Sequence, residues 1–552
     1  MAPVLAAGAP NGSVCVEDAA ANGLTLVDLS DTWTPRVFAI DPETHDAPEY
    51  REKYLALASQ PSADLGLYGI APNVSLVARR LGDEARRACD AGVDLAAIAA
   101  LRSDLAAAPD ARAASALLRS PARKPAIIAV QTELACAGFM KKAAVSGVMG
   151  PSTQIGLDAF RRRHMIVGAG LDDATLGALA LGGDELELCA LLRVLRERVA
   201  EAAGLIEDGS ASETRAKVAD RDLDFSRFAP RVEEALPGGA PDLVDEATDA
   251  AARALGWTSP DAARAFFAER GKDGAKGLTV ALALPPPPAY HSAAMELRVE
   301  IDRGDVFYEL PGQAAVAKKK AGVLRGPTFV VYAKDGEIER PLIRWATTIG
   351  GWKKERTEDG EVGLKYKGSD VGDRVWRQII AAPAWMPPDS TPETDLLHET
   401  KDGTFALKQD LIQPGYRNAY GLVMLIHDEV VQKGSETRFV DHGIRTHGSV
   451  DYRSIQRGES HGCHRLYNQL ALRLSGYLLA HRTHVRKGKM RAGYHRTLEH
   501  EGETVEVDVP TRGYLYELDP PVPVHVLEGR IAGERQKPMS SVIPLATDHD
   551  KG

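Results

Sequence analysis

Residues 443–482 read GIRTHGSVDYRSIQRGESHGCHRLYNQLALRLSGYLLAHR. His447 precedes Cys463 by sixteen positions, and Cys463 stands between Gly462 and a run in which Leu470, Leu474, Tyr477 and Leu478 recur at helical spacing. That spacing predicts a helix over 466–481, opening directly after the cysteine. The thiolate is the reactive form of cysteine, and a helix N-terminus or a neighbouring imidazolium lowers its pKa; the stretch offers both. Gly462 allows close approach of a carbonyl, and the N–H groups of Gly462 and Cys463 are candidates for an oxyanion hole. Taken singly, a cysteine is more often a small buried hydrophobe and a histidine a hydrogen-bonded structural group. Their joint arrangement raises the odds that Cys463 is a nucleophile. His442, His447, His461, His464 and Cys463 crowd together, but neither H-x-x-x-H nor C-x-x-C spacing occurs, so a zinc site is not expected.

The sequence around this stretch is β-rich. MELRVEI (295–301), PTFVVYA (327–333), GLVMLIHD (421–428), TVEVDV (504–509) and VPVHVL (522–527) alternate or carry β-branched residues between Gly, Pro and Asp turn signals. Upstream, the four prolines at 285–288 favour extended backbone and mark a linker over 281–294. The chain has 552 residues, too many for one hydrophobic core, so several domains are expected.

Ahead of the linker the pattern is helical. Residues 1–120 are Ala-rich, with segments such as LRSDLAAAPDARAASALLRS (101–120) that read as short helices. Within 121–175, Ile127, Ile128, Val130 and Leu134 predict one helix, with Gly138 as its left-handed terminus. Ile155, Ala159 and Phe160 predict a second, capped by Ser152 or Thr153. Within 176–280, Leu188, Leu192, Leu195 and Val199 form an apolar stripe between a candidate N-cap at Asp184 and Gly204. Residues 531–552 read as a C-terminal tail. The fold class expected is multidomain α+β, a mainly helical first half followed by a β-rich domain with a helix after the cysteine.

Composition excludes several roles. A formal charge of -10 argues against nucleic-acid binding, which needs a concentrated basic face. No apolar run approaches the roughly 18 residues that span a bilayer. The five cysteines (Cys15, Cys89, Cys136, Cys189 and Cys463) are odd in number and irregularly spaced, which suggests no disulfide framework and at least one free thiol. The start, MAPVLAAGAPNGS, lacks the basic and apolar parts of a secretory signal, leaving either a cytoplasmic protein or one whose signal was removed ahead of Met1.

The His447-Gly448 pair followed by Ser460, His461, Gly462, Cys463 and Arg465 resembles the L,D-transpeptidase catalytic domain, which carries His-Gly and then Ser/Thr-His-Gly-Cys-x-Arg. PTFVVYAKDGEIERPLIRWATTIGG (327–351), APAWMPPDS (382–390) and LIQPGYRNAYG (411–421) match further segments of its longer members, so the resemblance spans about residues 295–526 of a domain placed at 295–530. It implies that Cys463 is acylated by a peptidoglycan stem peptide at the bond between diaminopimelate and a terminal D-alanine. His447 would then be the base, oriented by the Gly448 backbone. Gly462 and Cys463 would supply oxyanion donors, Ser460 and His461 would shape the loop, and Arg465 would hold a substrate carboxylate or pin the loop through a buried acid. No cofactor or metal is implied, and the place of action would be the periplasm or cell envelope. The acyl acceptor stays open between a second stem peptide, giving 3→3 cross-links, water, and a protein lysine. A papain-like peptidase is disfavoured because there the cysteine precedes the histidine; a catalytically inert wall-binding protein is the non-enzymatic alternative. His464 departs from the aliphatic residue usual at its position, and 353–372 is long and charged, expected as a solvated loop, with a lid as the alternative. Val130, Gln131, Leu134, Gly138, Gly147, Gly150, Thr153 and Phe160 resemble the peptidoglycan-binding domain type 1, implying glycan as a further partner.

Overall fold

The computed structural model describes residues 3–7, 13–40, 48–60, 66, 68–212, 225–226, 228, 235–271, 275–322, 324–357 and 360–544. The first half is helical as read, but it also holds a four-stranded sheet that the sequence reading missed. Strands β1 (Pro3–Ala7), β2 (Ser13–Cys15), β3 (Thr25–Asp28) and β4 (Thr279–Leu282) lie in the order β2-β1-β4-β3. β1 and β4 are parallel, with Leu5 opposite Val280. Buried residues of β3 and β4 join those of helices α1 (Val74–Leu81), α2 (Gly183–Ala203) and α3 (Leu243–Leu255) in one core. α2 is the striped helix expected from Leu188 to Val199, ending at Gly204 with φ 64. Its N-cap is Gly182 rather than Asp184, whose carboxylate instead pairs with Arg86 and Arg264.

The two helices expected within 121–175 span Lys124–Cys136 and Pro151–Arg163. Gln131, fully buried between them, fixes the intervening turn. Its amide N donates to Val148 O and Thr153 Oγ1, and its Oε1 accepts from the N–H groups of Ser146 and Gly147, all at 2.8 Å. Thr153 therefore faces inward, and the N-cap is Gly150 followed by Pro151, not Ser152 or Thr153. With Thr153 inside, Leu157 and Phe160 share its face at helical spacing, and Ile155 is turned out, 68% exposed. Cys136 forms a disulfide with Cys89, a correction to the cysteine reading: spacing alone did not reveal that the fold places their Cα atoms 5.5 Å apart. Cys463 is a free thiol.

After the prolines the chain builds a nine-stranded sheet. It begins with β5 (Leu297–Asp302), β6 (Thr328–Asp335) and β7 (Ile338–Ala346). A separate hairpin of β8 (Gly350–Arg356) and β9 (Val362–Gly368) follows in the chain. The sheet then resumes with β10 (Gly372–Ala381), β11 (Val423–Lys433), β12 (Glu436–Ser449), β13 (His464–Tyr467), β14 (His484–His500) and β15 (Glu503–Leu527). The strand order is β13-β12-β11-β10-β15-β5-β6-β7, with β14 paired to β15. Helix α4 (Tyr452–Arg457) precedes β13, and helix α5 (Asn468–His481) follows it. α5 is buried along almost its whole length and packs on the sheet through Leu470, Leu474, Tyr477 and Leu478. Val37, Phe38, Ile40, Tyr50 and Tyr54 from the first half share this same core, and Tyr516 donates to Val37 O at 3.0 Å. The linker in sequence is thus not a gap in packing.

Two local expectations change. Residues 353–372 are not a solvated loop, because most of them belong to the β8–β9 hairpin. The expected tail also returns, contributing β16 (Ile543–Pro544) as a third strand beside β9.

Candidate functional site

Cys463 closes the loop that leads from α4 into β13. β13 runs parallel to β12, pairing Thr446 with His464 and His447 with Arg465. Extending that register sets Cys463 opposite Arg445, two positions from the His447 row. Cys463 itself lies just ahead of the paired strand, and its Sγ has Gly443 O at 3.8 Å. The helix expected from the sequence does not begin at the cysteine; four residues of strand intervene, so no helix N-terminus acts on the thiol.

The loop is held by hydroxyls. Ser460 Oγ accepts from Gly462 N–H at 3.1 Å and donates to Cys463 O at 2.6 Å. Thr348 Oγ1 donates to the same carbonyl at 2.6 Å and accepts from Arg465 N–H at 2.9 Å. Thr347 donates to Arg465 O at 3.1 Å, and His464 Nδ1 donates to Thr348 O at 2.9 Å. The loop-shaping role expected for Ser460 thus has a geometric basis. Gly462, by contrast, has its N–H engaged, so of the two oxyanion donors expected from the sequence only the Cys463 N–H is without a partner among the described residues. Glycine is required at 462, where φ is 107; a Cβ would lie 2.8 Å from Gly368 O at the end of β9 and 3.0 Å from Ile444 Cδ1. The hairpin therefore abuts the Cys463 loop. His461 is exposed beside it.

His447 is buried and its Nδ1 contacts Gly448 O at 2.7 Å. Because a carbonyl only accepts, Nδ1 carries the proton and Nε2 is the basic nitrogen of the neutral ring. Gly448 is a glycine because a Cβ there would fall 2.1 Å from the side-chain oxygen of buried Asn468. Arg465 Nη1 reaches Asp451 Oδ2 at 3.2 Å and Ser454 Oγ at 2.9 Å, tying α4 to β13 through an acid that is largely exposed rather than buried. Tyr420 meets the His447 ring edge to face at 5.3 Å. Nearby, Asp441 chelates Arg445 at 2.6 and 2.7 Å.

Burial pushes the Cys463 thiol above its ordinary range, opposed by the Arg445 cation, its backbone N–H and the Arg465 cation. Burial also pulls His447 down to about 3, assisted by the neighbouring Arg465. The resting groups are a neutral thiol and a neutral imidazole, so no imidazolium lowers the thiol pKa as the sequence suggested. Tyr420, raised to about 12 by burial, stays a phenol. Thr347, Thr348, Tyr420, Arg445 and Asp441 were missed by sequence reasoning, their only signal being that some fall inside the matched segments.

Two further histidines lie behind the pair. His427 Nε2 lies 2.8 Å from Thr446 Oγ1, and its ring tilts against His464 at 5.1 Å. Burial lowers both, His464 to about 4. An unfolded histidine takes its proton near pH 6.5, at about the ordinary value, whereas His427, His447 and His464 remain neutral in the fold well below it. Their stabilising contribution is therefore complete above about pH 6.5 and is lost as pH falls toward 4, by about 1.4 kcal/mol per pH unit for each. Urea midpoints measured from about pH 7 to 4.5 are expected to fall steeply, and less steeply for His464→Leu. Equal slopes would show that His464 is already protonated in the fold.

Among the described residues no group of three or more His, Cys, Asp or Glu side chains could hold a metal ion, and no helix is long and apolar enough to cross a membrane. Comparisons with family models, curated proteins and solved structures return no match to this chain.

Proposed function

We propose that the chain is an L,D-transpeptidase of peptidoglycan, with Cys463 as nucleophile and His447 as base. The observations that support this reading are the parallel pairing of the strand that follows Cys463 with the strand of His447, and a His447 Nδ1 committed to Gly448 O, so that Nε2 is the nitrogen able to take a proton. Sγ attacks the diaminopimelate carbonyl and forms a thioester as the bond to D-alanine breaks. The thiol proton passes to His447 Nε2 and on to the leaving amine. Cys463 N–H and the Tyr420 hydroxyl are the donors available to the oxyanion. An acceptor amine then displaces Sγ, its proton taken by the same imidazole. No step calls for a cofactor.

The packed helix pair around Gln131 supports a wall-binding module, and the Cys89–Cys136 disulfide suits an oxidising compartment such as the cell envelope. Intact-mass measurement after incubation with a carbapenem, and separately with a diaminopimelate tetrapeptide, tests the reading. A stable adduct and D-alanine release are expected in the wild type, both absent in Cys463→Ala. A cross-linked dimer would identify transfer, and a tripeptide alone hydrolysis. A wild type that gives neither adduct nor D-alanine would overturn the assignment.

A further inference from the structure

A cavity of about 80 Å³ is walled by residues of α1, α2 and α5, where the helical half meets the helix that follows β13. One water needs about 10 to 15 Å³, so there is room for a small molecule. Much of the wall is apolar, from Trp33, Val194, Leu205, Leu472 and Tyr477. Most of its ionic groups are already matched. Arg473 Nη2 reaches Glu197 at 2.5 Å, Glu201 accepts from Arg36 N–H at 2.5 Å, and Arg196 pairs with Asp242 at 2.9 Å and Asp245 at 2.6 Å. Two polar groups on the same wall are not. Gln469, in the first turn of α5, is only 5% exposed, and neither its Oε1 nor its Nε2 has a partner among the described residues. Arg80, in the last turn of α1, has its Nη2 buried without one. Gln469 is also held in place. Its neighbour Asn468 accepts from Leu422 N–H and donates to Tyr416 O, each at 3.1 Å, and at Gly69, with φ 85, a Cβ would lie 2.8 Å from Gln469 N. Buried polar groups left unpaired carry a desolvation cost that a bound group removes. An amide with donor and acceptor both free is complementary to a second amide, and a guanidinium to a carboxylate. The apolar wall beside them suits an acyl chain.

We propose that this cavity binds a small N-acyl amino acid, with its carboxylate on Arg80, its amide on Gln469 and its acyl group against the apolar wall. No residue of the Cys463 loop is on the described wall, so the site is a second one and does not depend on the acyl-transfer reading. The test is isothermal titration of the full chain with three probes. N-butanoylglycine carries all the groups. N-butanoylglycinamide lacks the charge, and 4-oxoheptanoate replaces only the amide N–H by a methylene. Each is titrated into the wild type, Arg80→Gln and Gln469→Leu.

In the wild type N-butanoylglycine is expected to bind at least about 10-fold more tightly than its amide, and about 5-fold more tightly than 4-oxoheptanoate. Arg80→Gln should bring the first preference below about twofold and keep the second, and Gln469→Leu should do the reverse. The preference that each variant keeps shows that it is folded. A wild type that binds none of the probes saturably holds only water in the cavity and overturns the site. Variants that keep both preferences overturn it as well. Cys463→Ala should bind all three probes as the wild type does, so failure of the transpeptidase reading would show separately as absent D-alanine release.

Discussion

His447→Gln is expected to lower the rate of Cys463 acylation by about 10³-fold at pH 7, with a deficit that narrows as the pH rises. The direction follows from the neutral resting pair. In the wild type the imidazole is unprotonated at every pH above about 3, so a base is always present to take the thiol proton during attack. The variant depends on thiolate formed beforehand, and burial holds the thiol above the ordinary cysteine range. Its rate should therefore climb about tenfold per pH unit, up to and beyond the ordinary thiol value of about 8.5. Adduct formation with a carbapenem, followed by mass from about pH 6 to 10, gives both profiles. Parallel profiles would mean that the proton leaves the thiol by another route. Melting curves for both proteins separate this effect from loss of fold.

The second large effect is expected at Gly462→Ala. An alanine at φ 107 carries backbone strain of about 1 to 3 kcal/mol. Its methyl would also press on the Gly368 carbonyl and on Ile444. Either the hairpin or the Cys463 loop must give way, and both border the thiol. A misplacement of about 1 Å at a reacting group costs on the order of 100-fold in rate. Acylation should fall by at least about that factor while the melting temperature drops by only a few degrees, about what a local strain of this size produces. A near-normal rate would show that the loop accommodates the methyl without moving Sγ.

The core of the site was legible because its signal is local. His447, Gly448, Ser460, Gly462 and Cys463 fall within one short stretch, and the structure brings the strand of His447 beside the strand that follows Cys463. The conformation just after the cysteine was not legible. HRLY is too short for a period of two to be told from the first turn of the helix that follows, and the parallel partner that decides for strand lies in β12. Thr347 and Thr348 were out of reach for a different reason. Their hydroxyls bind carbonyls of Cys463 and Arg465 more than a hundred residues away, and such pairings are set by the sheet rather than by neighbouring residues. The Cys89–Cys136 pairing, 47 residues apart, belongs to the same class. The stripe of α2 and its terminal Gly204 were readable because both depend on a period within one helix.

The parallel pairing of β1 with β4 has a bearing on the order of events at the ribosome. Leu5 and Val280 lie 275 positions apart (280 − 5), so the first strand must wait for the last before its parallel partner exists. At about 5 to 20 residues per second, that wait is roughly 15 to 55 s of synthesis. Until then an early strand would be left with an unpaired edge, the kind of surface that invites association with other chains. Assembly of the first half is in this sense a late event, and a nascent chain halted before residue 279 should remain more open to protease at its N-terminus than one halted after residue 282 has emerged.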